Sequence, residues 1–458
     1  MDIQRVHLRN VGRFGDLNVK FAPQNGNTGN VTVFIGGNGT GKTSILKATA
    51  TALSWLVSRI RSEAGSGGPI PEEVIKNGEG TAAIDISIPL QISSDNGTEK
   101  DHEYLWTLAK TRPGRAAREK TNLTNVTSLA THYRDMIANN SGASLPLIAF
   151  YPVERVVIDV PLKIKTKHTF EQIDGYDNSL NQGVDFRKFF EWFRNREDAE
   201  NESALPQGVL DLLRSSLAGN ADLWIQLEKL NASSRDRQLS AVRAAISEFM
   251  PGFENLKVRR KPRLHMSIDK NGETLNILQL SQGEKTLLAL VGDIARRLAM
   301  MNPDLQNPLK GDGIVLIDEI DLHLHPTWQK SIIDRLIRTF PNCQFILTTH
   351  SPLVISECND VLIYSIEGDG LVEIESQFGK DANSVLRDVM HTSPQNEVIQ
   401  AAINDVIDLI HLNELDRARH SLKALADKIP SVSNIEVAKA NLLLRKQELR
   451  NEKIRSDT

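Results

Sequence analysis

The chain has 458 residues, 40% apolar and 24% charged, a balance that excludes wholesale disorder and predicts two or three domains around a large core. Lys and Arg number 54 and Asp and Glu 58, a net charge of -4 that excludes a globally basic nucleic-acid binder but leaves room for a local basic patch. Cys343 and Cys358 are too few for a disulfide framework or a cysteine zinc cluster. The lack of any run of about 18 apolar residues, or of an apolar stretch after Met1-Asp2-Ile3-Gln4-Arg5, predicts a cytoplasmic protein with no membrane partner.

In chain order, Ile3, Val6, Leu8 and Val11, then Leu17, Val19 and Phe21, predict two short strands around Gly12 to Gly15. Val31 to Ile35 reads as a buried strand, followed by a glycine-rich loop and a helix from about Lys42 to Ile60. Residues 62–80 read as an exposed loop. Ile84 to Leu90 and Glu103 to Leu108 predict antiparallel strands joined by a turn at Asn96-Gly97, and Leu145 to Tyr151 a further strand. Residues 155–250 change character and read as a helical insertion, with Phe186, Phe189, Phe190, Trp192 and Phe193 as local core rather than a ligand cage. Leu264 to Ile268 and Thr274 to Leu278 predict a hairpin around Lys270-Asn271-Gly272-Glu273. A helix from about Gly283 to Met301, a strand from Ile314 to Ile317, a helix from Thr327 to Phe340, and strands at Gln344 to Thr348 and Val361 to Ile366 imply a largely parallel sheet. The expected α/β protein thus has an N-terminal lobe over 1–154, the insertion over 155–250, a C-terminal lobe over 251–378 and a helical tail over 379–458.

Gly36-Gly37-Asn38-Gly39-Thr40-Gly41-Lys42-Thr43 fits the phosphate-loop pattern G-x-x-x-x-G-K-[ST], between a strand and a helix as that pattern requires. A chance match in such a chain is expected roughly 0.02 times, so a merely structural glycine turn is set aside. Gly36, Asn38, Gly39, Thr40, Gly41, Lys42, Thr43 and Ser44 are the candidate ATP-binding residues: backbone N–H groups and a helix N-terminus face the phosphates, Lys42 reaches the β- and γ-phosphates, and Thr43 holds Mg²⁺. The strand Gly313 to Ile317 ends in Asp318, the expected Mg²⁺ partner, and Glu319, the candidate base for the attacking water. Leu280-Ser281-Gln282-Gly283-Glu284 opens a helix; Ser281 with Glu284 fits a capping box, and Ser281, Gln282 and Gly283 also suit a nucleotide held by a second copy. His350, at the end of the strand Gln344 to Thr348, is the candidate sensor of the γ-phosphate.

These residues resemble the ABC-type ATPases of the RecF and structural-maintenance-of-chromosomes group. Leu280 to Lys285 resembles the LSGGQ-type signature, Val6 to Phe14 that group's first strands, and Asp318 to Pro326 its Walker B and D-loop. Phe189-Phe190-Glu191-Trp192-Phe193 with Glu200-Asn201, and Trp328-Gln329, are most similar to the ATPase subunits of Septu anti-phage systems and retron-associated ATPases. The resemblance implies an ABC-type head assembled from both chain ends, ATP shared between at least two heads, slow hydrolysis acting as a switch, and a separate HNH nuclease as partner. Its alternative is a stand-alone RecF-like repair ATPase; a transporter subunit fits poorly. No glutamine stands at Phe150-Tyr151-Pro152-Val153-Glu154-Arg155, where the family carries a Q-loop. Glu367-Gly368-Asp369 mimics the first acidic position of a TOPRIM nuclease, but no Asp-x-Asp strand follows, so no intrinsic nuclease is expected.

Weaker signals remain. His323 and His325 form an H-x-H pair, read as a contact between heads rather than a zinc site. Three basic groups, Lys110, Arg112, Arg115, Arg118 and Lys120, then Lys163, Lys165 and Lys167, then Lys257, Arg259, Arg260, Lys261 and Arg263, read as solvated faces or as contacts to DNA phosphates. In the tail, Val398, Ile399, Ala402, Ile403, Val406, Ile407 and Ile410, then Ala418, Leu422 and Leu425, then Val437, Ala440, Leu443 and Leu444 keep helical spacing, with Pro430 as a break, and suit a packed cap or a docking element.

Overall fold

The computed structural model describes residues 1–24, 29–93, 99–154, 170–181, 184–203, 235–390, 392, 397–428 and 435–456. The chain divides into one unit from Met1 to Lys380 and a second from Asp381 to Thr458. In the first unit it runs through β1 (Arg5–Val11), β2 (Phe14–Lys20), β3 (Val31–Ile35), α1 (Lys42–Arg61), β4 (Thr81–Ser93), β5 (Glu99–Thr111), α2 (Thr124–Asn139) and β6 (Leu147–Tyr151). Next come α3 (Phe186–Ser203), α4 (Arg237–Phe249), β7 (Phe253–Arg259), β8 (His265–Lys270), β9 (Glu273–Asn276) and α5 (Gln282–Met301). The unit closes with β10 (Gly313–Ile317), α6 (Pro326–Gln329), α7 (Ile332–Thr339), β11 (Cys343–Thr348), α8 (Pro352–Ser356), β12 (Leu362–Glu367) and β13 (Gly370–Ile374).

A six-stranded sheet in the order β13-β12-β3-β11-β10-β6 forms the centre. Its strands are parallel except for β13, which returns antiparallel on β12. β3, β6, β10 and β11 are buried along their whole length, which is why they read as unbroken apolar runs rather than alternating ones. A second sheet, four-stranded and antiparallel, runs in the order β2-β1-β4-β5. Helix α1 packs on β6, β10 and β11 and also on β1 and β4. Its buried surface therefore extends beyond Ile45, Leu46, Ala50, Leu53 and Val57, the face that the sequence spacing predicts, to Ala48, Thr49, Ala52, Leu56 and Ile60.

Local departures from the sequence reading have physical causes. The hairpin strands run to Thr81–Ser93 and Glu99–Thr111, because β4 pairs with β5 over its full length; the expected turn at Asn96-Gly97 lies outside the described residues. Helix α2 was unforeseen, since its threonines and asparagines favour helix weakly. Val126, Leu129, Ala130 and Tyr133 nevertheless recur at helical spacing and are buried where α2 packs on α1 and β5. The helix expected from Thr327 to Phe340 divides into α6 and α7 at Ser331, whose φ of -116° and ψ of 0° leave helical geometry.

Phe186, Phe189, Phe190, Trp192 and Phe193 are all at most 1% exposed. Helices α3 and α4 both pack on α5. A Cβ at Gly292 would lie 3.0 Å from the Phe189 ring, so the missing side chain lets the aromatic seat against α5. In the second unit, α9 (Ala382–Asp388), α10 (Glu397–His411), α11 (Leu415–Lys428) and α12 (Ile435–Ser456) follow. Val406, Ile410, Ala418, Leu422, Ala440 and Leu444 form the shared core of the last three; the expected break at Pro430 lies outside the described residues. Phe189→Ala should cost about 3–5 kcal/mol through lost burial and the cavity beside Gly292, read as a lower denaturant midpoint.

Candidate functional site

The phosphate loop leaves the C-terminal end of β3 and enters α1. Gly41 sits at φ 102° before the first helical residue, and a Cβ there would meet the Phe14 ring at 2.6 Å. Glycine is thus required twice, by the backbone angle and by the β2 ring beneath it. Lys42 folds back, its Nζ donating to the carbonyls of Gly36 at 2.8 Å and Gly37 at 2.9 Å. Burial pulls its pKa down, opposed by Glu319, Asp318 and Asp321 nearby. Thr40 closes the loop by donating to the Gly37 carbonyl at 3.0 Å, while Gly37, Asn38 and Gly39 stay exposed.

β10 delivers Asp318, fully buried, beside this loop. Thr43 Oγ1 donates to Asp318 Oδ2 at 2.8 Å, and Thr348 Oγ1, at the end of β11, donates to Asp318 Oδ1 at 2.6 Å. Glu319 follows with φ 47°, unusual for a residue with a side chain, and its N–H donates to Thr348 Oγ1 at 2.7 Å. Asp321 accepts from Thr349 Oγ1 at 2.5 Å, and the His350 N–H lies 3.4 Å from the same carboxylate oxygen. Burial and then Lys42 lower the His350 pKa, against Glu319, Asp321 and Asp318, so its imidazole is neutral at neutral pH. A hydroxyl and a carboxylate converging beside glycine N–H groups form a hard-oxygen donor set suited to Mg²⁺ and a phosphate chain.

Ser281, Gln282 and Gly283 begin α5. Ser281 is exposed and makes both bonds of the capping box: the Glu284 N–H donates to its hydroxyl at 3.3 Å and its own N–H to Glu284 Oε2 at 2.9 Å. Lys270 pairs with Glu284 at 2.8 Å. A Cβ on Gly283 would strike the His323 carbonyl at 2.5 Å, so the helix start rests on the backbone of the segment that follows Glu319. His325 Nδ1 caps α6, accepting from the Thr327 N–H at 3.4 Å; among the described residues, no group of three or more His, Cys, Asp or Glu side chains is arranged to hold a metal.

A family model described as "AAA domain, putative AbiEii toxin, Type IV TA system" matches residues 31–356. The chain belongs to this family. Similar proteins include "Retron Ec83 probable ATPase" of Escherichia coli, 38% identical over 76% of this chain and 68% of that protein. "Retron Vc95 probable ATPase" of Vibrio cholerae serotype O1 biovar El Tor is 34% identical over 90% of this chain and 85% of that protein. "Septu protein PtuA" of Bacillus thuringiensis is 36% identical over 47% of this chain and 50% of its own length. The head of an SMC protein bound to the C-winged helix domain of ScpA aligns at 15% identity with a TM-score of 0.43, covering 82% of this chain and 98% of that one.

Three residues escaped the sequence reading. Thr348 ends β11 and Thr349 follows it, just before His350, and their hydroxyls hold Asp318 and Asp321. The run Thr-Thr-His after an apolar strand was a usable signal, since two hydroxyls at a strand tip must find acceptors once buried. Arg13, in the turn between β1 and β2, donates to the Gly39 carbonyl at 3.2 Å; the sequence reading took it only as part of the stretch from Val6 to Phe14. Of the basic groups, Lys257, Arg259, Arg260, Lys261 and Arg263 are exposed on and just beyond β7, where Arg260 pairs with Asp198. Arg112 is tied to the Ile75 carbonyl at 3.1 Å, and Lys163, Lys165 and Lys167 lie outside the described residues. Among the described residues, no helix is long and apolar enough to cross a membrane.

Two outcomes test this geometry. Thr348→Val removes a bond to Asp318 and strands the Glu319 N–H, and should cost about 1–3 kcal/mol in chemical denaturation. His350 refuses a proton in the fold that it accepts once unfolded, so stability should fall as pH drops below 6.5, its ordinary value. His350→Gln should remove that part of the loss, seen in denaturant midpoints compared at mildly acidic and neutral pH.

Proposed function

We propose that the chain is the ATP-binding and slowly hydrolysing switch subunit of a bacterial anti-phage complex that acts in the cytoplasm and controls a separate HNH-type nuclease. The observation that carries the ATPase part is the double clamp on Asp318 by Thr43 and Thr348 beside a phosphate loop. The retron and Septu names of the similar proteins support the defence setting, and the nuclease partner rests on the Septu resemblance.

Gly36, Asn38, Gly39, Thr40, Gly41, Lys42, Thr43 and Ser44 bind the nucleotide, with loop N–H groups and the α1 terminus turned to the phosphates. Thr43 and Asp318 would hold Mg²⁺, whose chemistry there is to neutralise charge on the β- and γ-phosphates. Glu319, held in its left-handed conformation by Thr348, orients water and accepts its proton. His350 stays neutral and can donate a hydrogen bond to the terminal phosphate. Ser281 and Gln282 stand exposed and Gly283 half-buried at a helix N-terminus, where they meet the nucleotide of a second copy, so the active form is at least a homodimer. The exposed Lys257, Arg259, Lys261 and Arg263 form a surface for DNA phosphates.

Three substitutions separate the steps. Lys42→Ala should abolish ATP binding in an equilibrium binding assay. Glu319→Gln should bind ATP and stay dimeric with hydrolysis reduced at least about a hundredfold. Ser281→Arg should bind ATP as a monomer and fail to hydrolyse it; wild-type turnover by this variant sinks the shared site. For the setting, co-expression with the neighbouring gene should yield a complex containing a nuclease by native mass measurement, and a lone homo-oligomer that binds DNA would favour the repair reading.

The charged surface has its own check. Reversing Lys257, Arg259, Lys261 and Arg263 to Glu should weaken DNA binding at least about tenfold and flatten its salt dependence, with ATP affinity unchanged. Equal DNA binding by the reversed protein would make the run a solvated face.

A further inference from the structure

Among the described residues, strand β6 is an edge of the central sheet: it pairs with β10 on one side, and no further described strand of that sheet lies beyond it. Its last residue, Tyr151, has two bonds that point to different parts of the molecule. The Tyr151 carbonyl accepts the N–H of Asp318 at 2.9 Å. Its phenol donates to Asp293 Oδ2 at 3.0 Å, inside α5. Tyr151 is 1% exposed and Asp293 is fully buried.

Asp293 is itself fixed on both oxygens. Arg296 donates to Oδ1 at 2.6 Å and Arg297 to Oδ2 at 2.7 Å. Arg297 then reaches the carbonyls of Gly175 at 2.6 Å and Asp177 at 3.0 Å. Burial opposes ionisation of Asp293, but Arg297 and Arg296 hold its pKa below the usual carboxylate range. Burial and then Asp293 push the Tyr151 phenol far upward, so it remains a donor at any working pH. An ionised acid with two cations and a phenol on it is a rigid junction, because breaking its ion pairs leaves buried charge unpaired.

Helix α5 connects this junction to its start at Ser281-Gln282-Gly283, where Ser281 and Gln282 are exposed. From Gln282 to Asp293 is three turns, a rigid span of about 16 Å. The start rests on the His323 carbonyl, and the junction grips the strand that holds Asp318 by its amide. The helix thus bears on the Asp318 segment at both ends of that span.

We propose that Tyr151 is a positioning residue that couples the two nucleotide sites of a dimer. Contact of α5 with the nucleotide of the partner copy moves the helix, and Tyr151 passes that movement to Asp318 in its own site. The inference rests on the shared-site reading above and deepens it by naming the connection between the sites. Tyr151 is buried and acts through the backbone of Asp318.

Tyr151→Phe in the full chain keeps the ring and removes only the link, since Asp293 retains both arginines. Expected are ATP affinity within about twofold of the parent, a maximal rate lowered about tenfold, and an ATP dependence that turns from cooperative to hyperbolic. Cooperative hydrolysis at the parental rate by Tyr151→Phe would overturn the coupling. A purely structural role predicts loss of ATP affinity and thermal midpoint together. If Ser281→Arg alone leaves hydrolysis unchanged, the shared-site reading fails and the coupling with it.

Discussion

The molecule depends on one carboxylate. Asp318 is out of contact with solvent, and a buried acid without partners costs several kcal/mol. It is satisfied by hydroxyls from two elements far apart in the chain, Thr43 at the start of α1 and Thr348 at the end of β11, and its amide is held by Tyr151 of β6. The central sheet order brings these elements together: β3, which precedes the phosphate loop, lies beside β11, and β11 beside β10. Any topology that separated these strands would leave the acid unsatisfied. Fold and site are therefore a single constraint.

That constraint extends outward through close backbone approaches. Gly41 lies on Phe14, and Gly283 lies on the His323 carbonyl. Each absent side chain lets a polar segment sit against another element without an intervening gap. The antiparallel sheet thus fixes the phosphate loop from one side, and the segment after Glu319 fixes the start of α5 from another. The left-handed conformations at Glu319, φ 47°, and His323, φ 63°, turn the chain sharply enough to do both within five residues.

Much of this was legible in the sequence, for unequal physical reasons. Fully buried parallel strands leave unbroken apolar runs, so β3, β10 and β11 could be read directly. The phosphate loop could be read because its glycines and lysine are demanded by chemistry at fixed spacing. Helix α2 was not legible, since packing on α1 overrides poor local propensity. The double-sided burial of α1 was hidden as well: a helix wedged between two sheets has no single periodic stripe to show. Thr348 and Tyr151 were read as parts of strands. Their bonds to Asp318 and Asp293 span 30 and 142 residues, a separation that no local pattern records.

The same separation matters during synthesis. Thr43 and Asp318 are 275 residues apart, and Thr348 comes later still. A nascent chain carries its phosphate loop long before the acid and the hydroxyl that complete the site, and contacts so distant form late in folding. A ribosome-bound or truncated chain ending before β10 holds the glycines without the carboxylate. Such a fragment cannot bind and turn over nucleotide as the finished protein would. The site thereby stays incomplete until nearly the whole first unit exists.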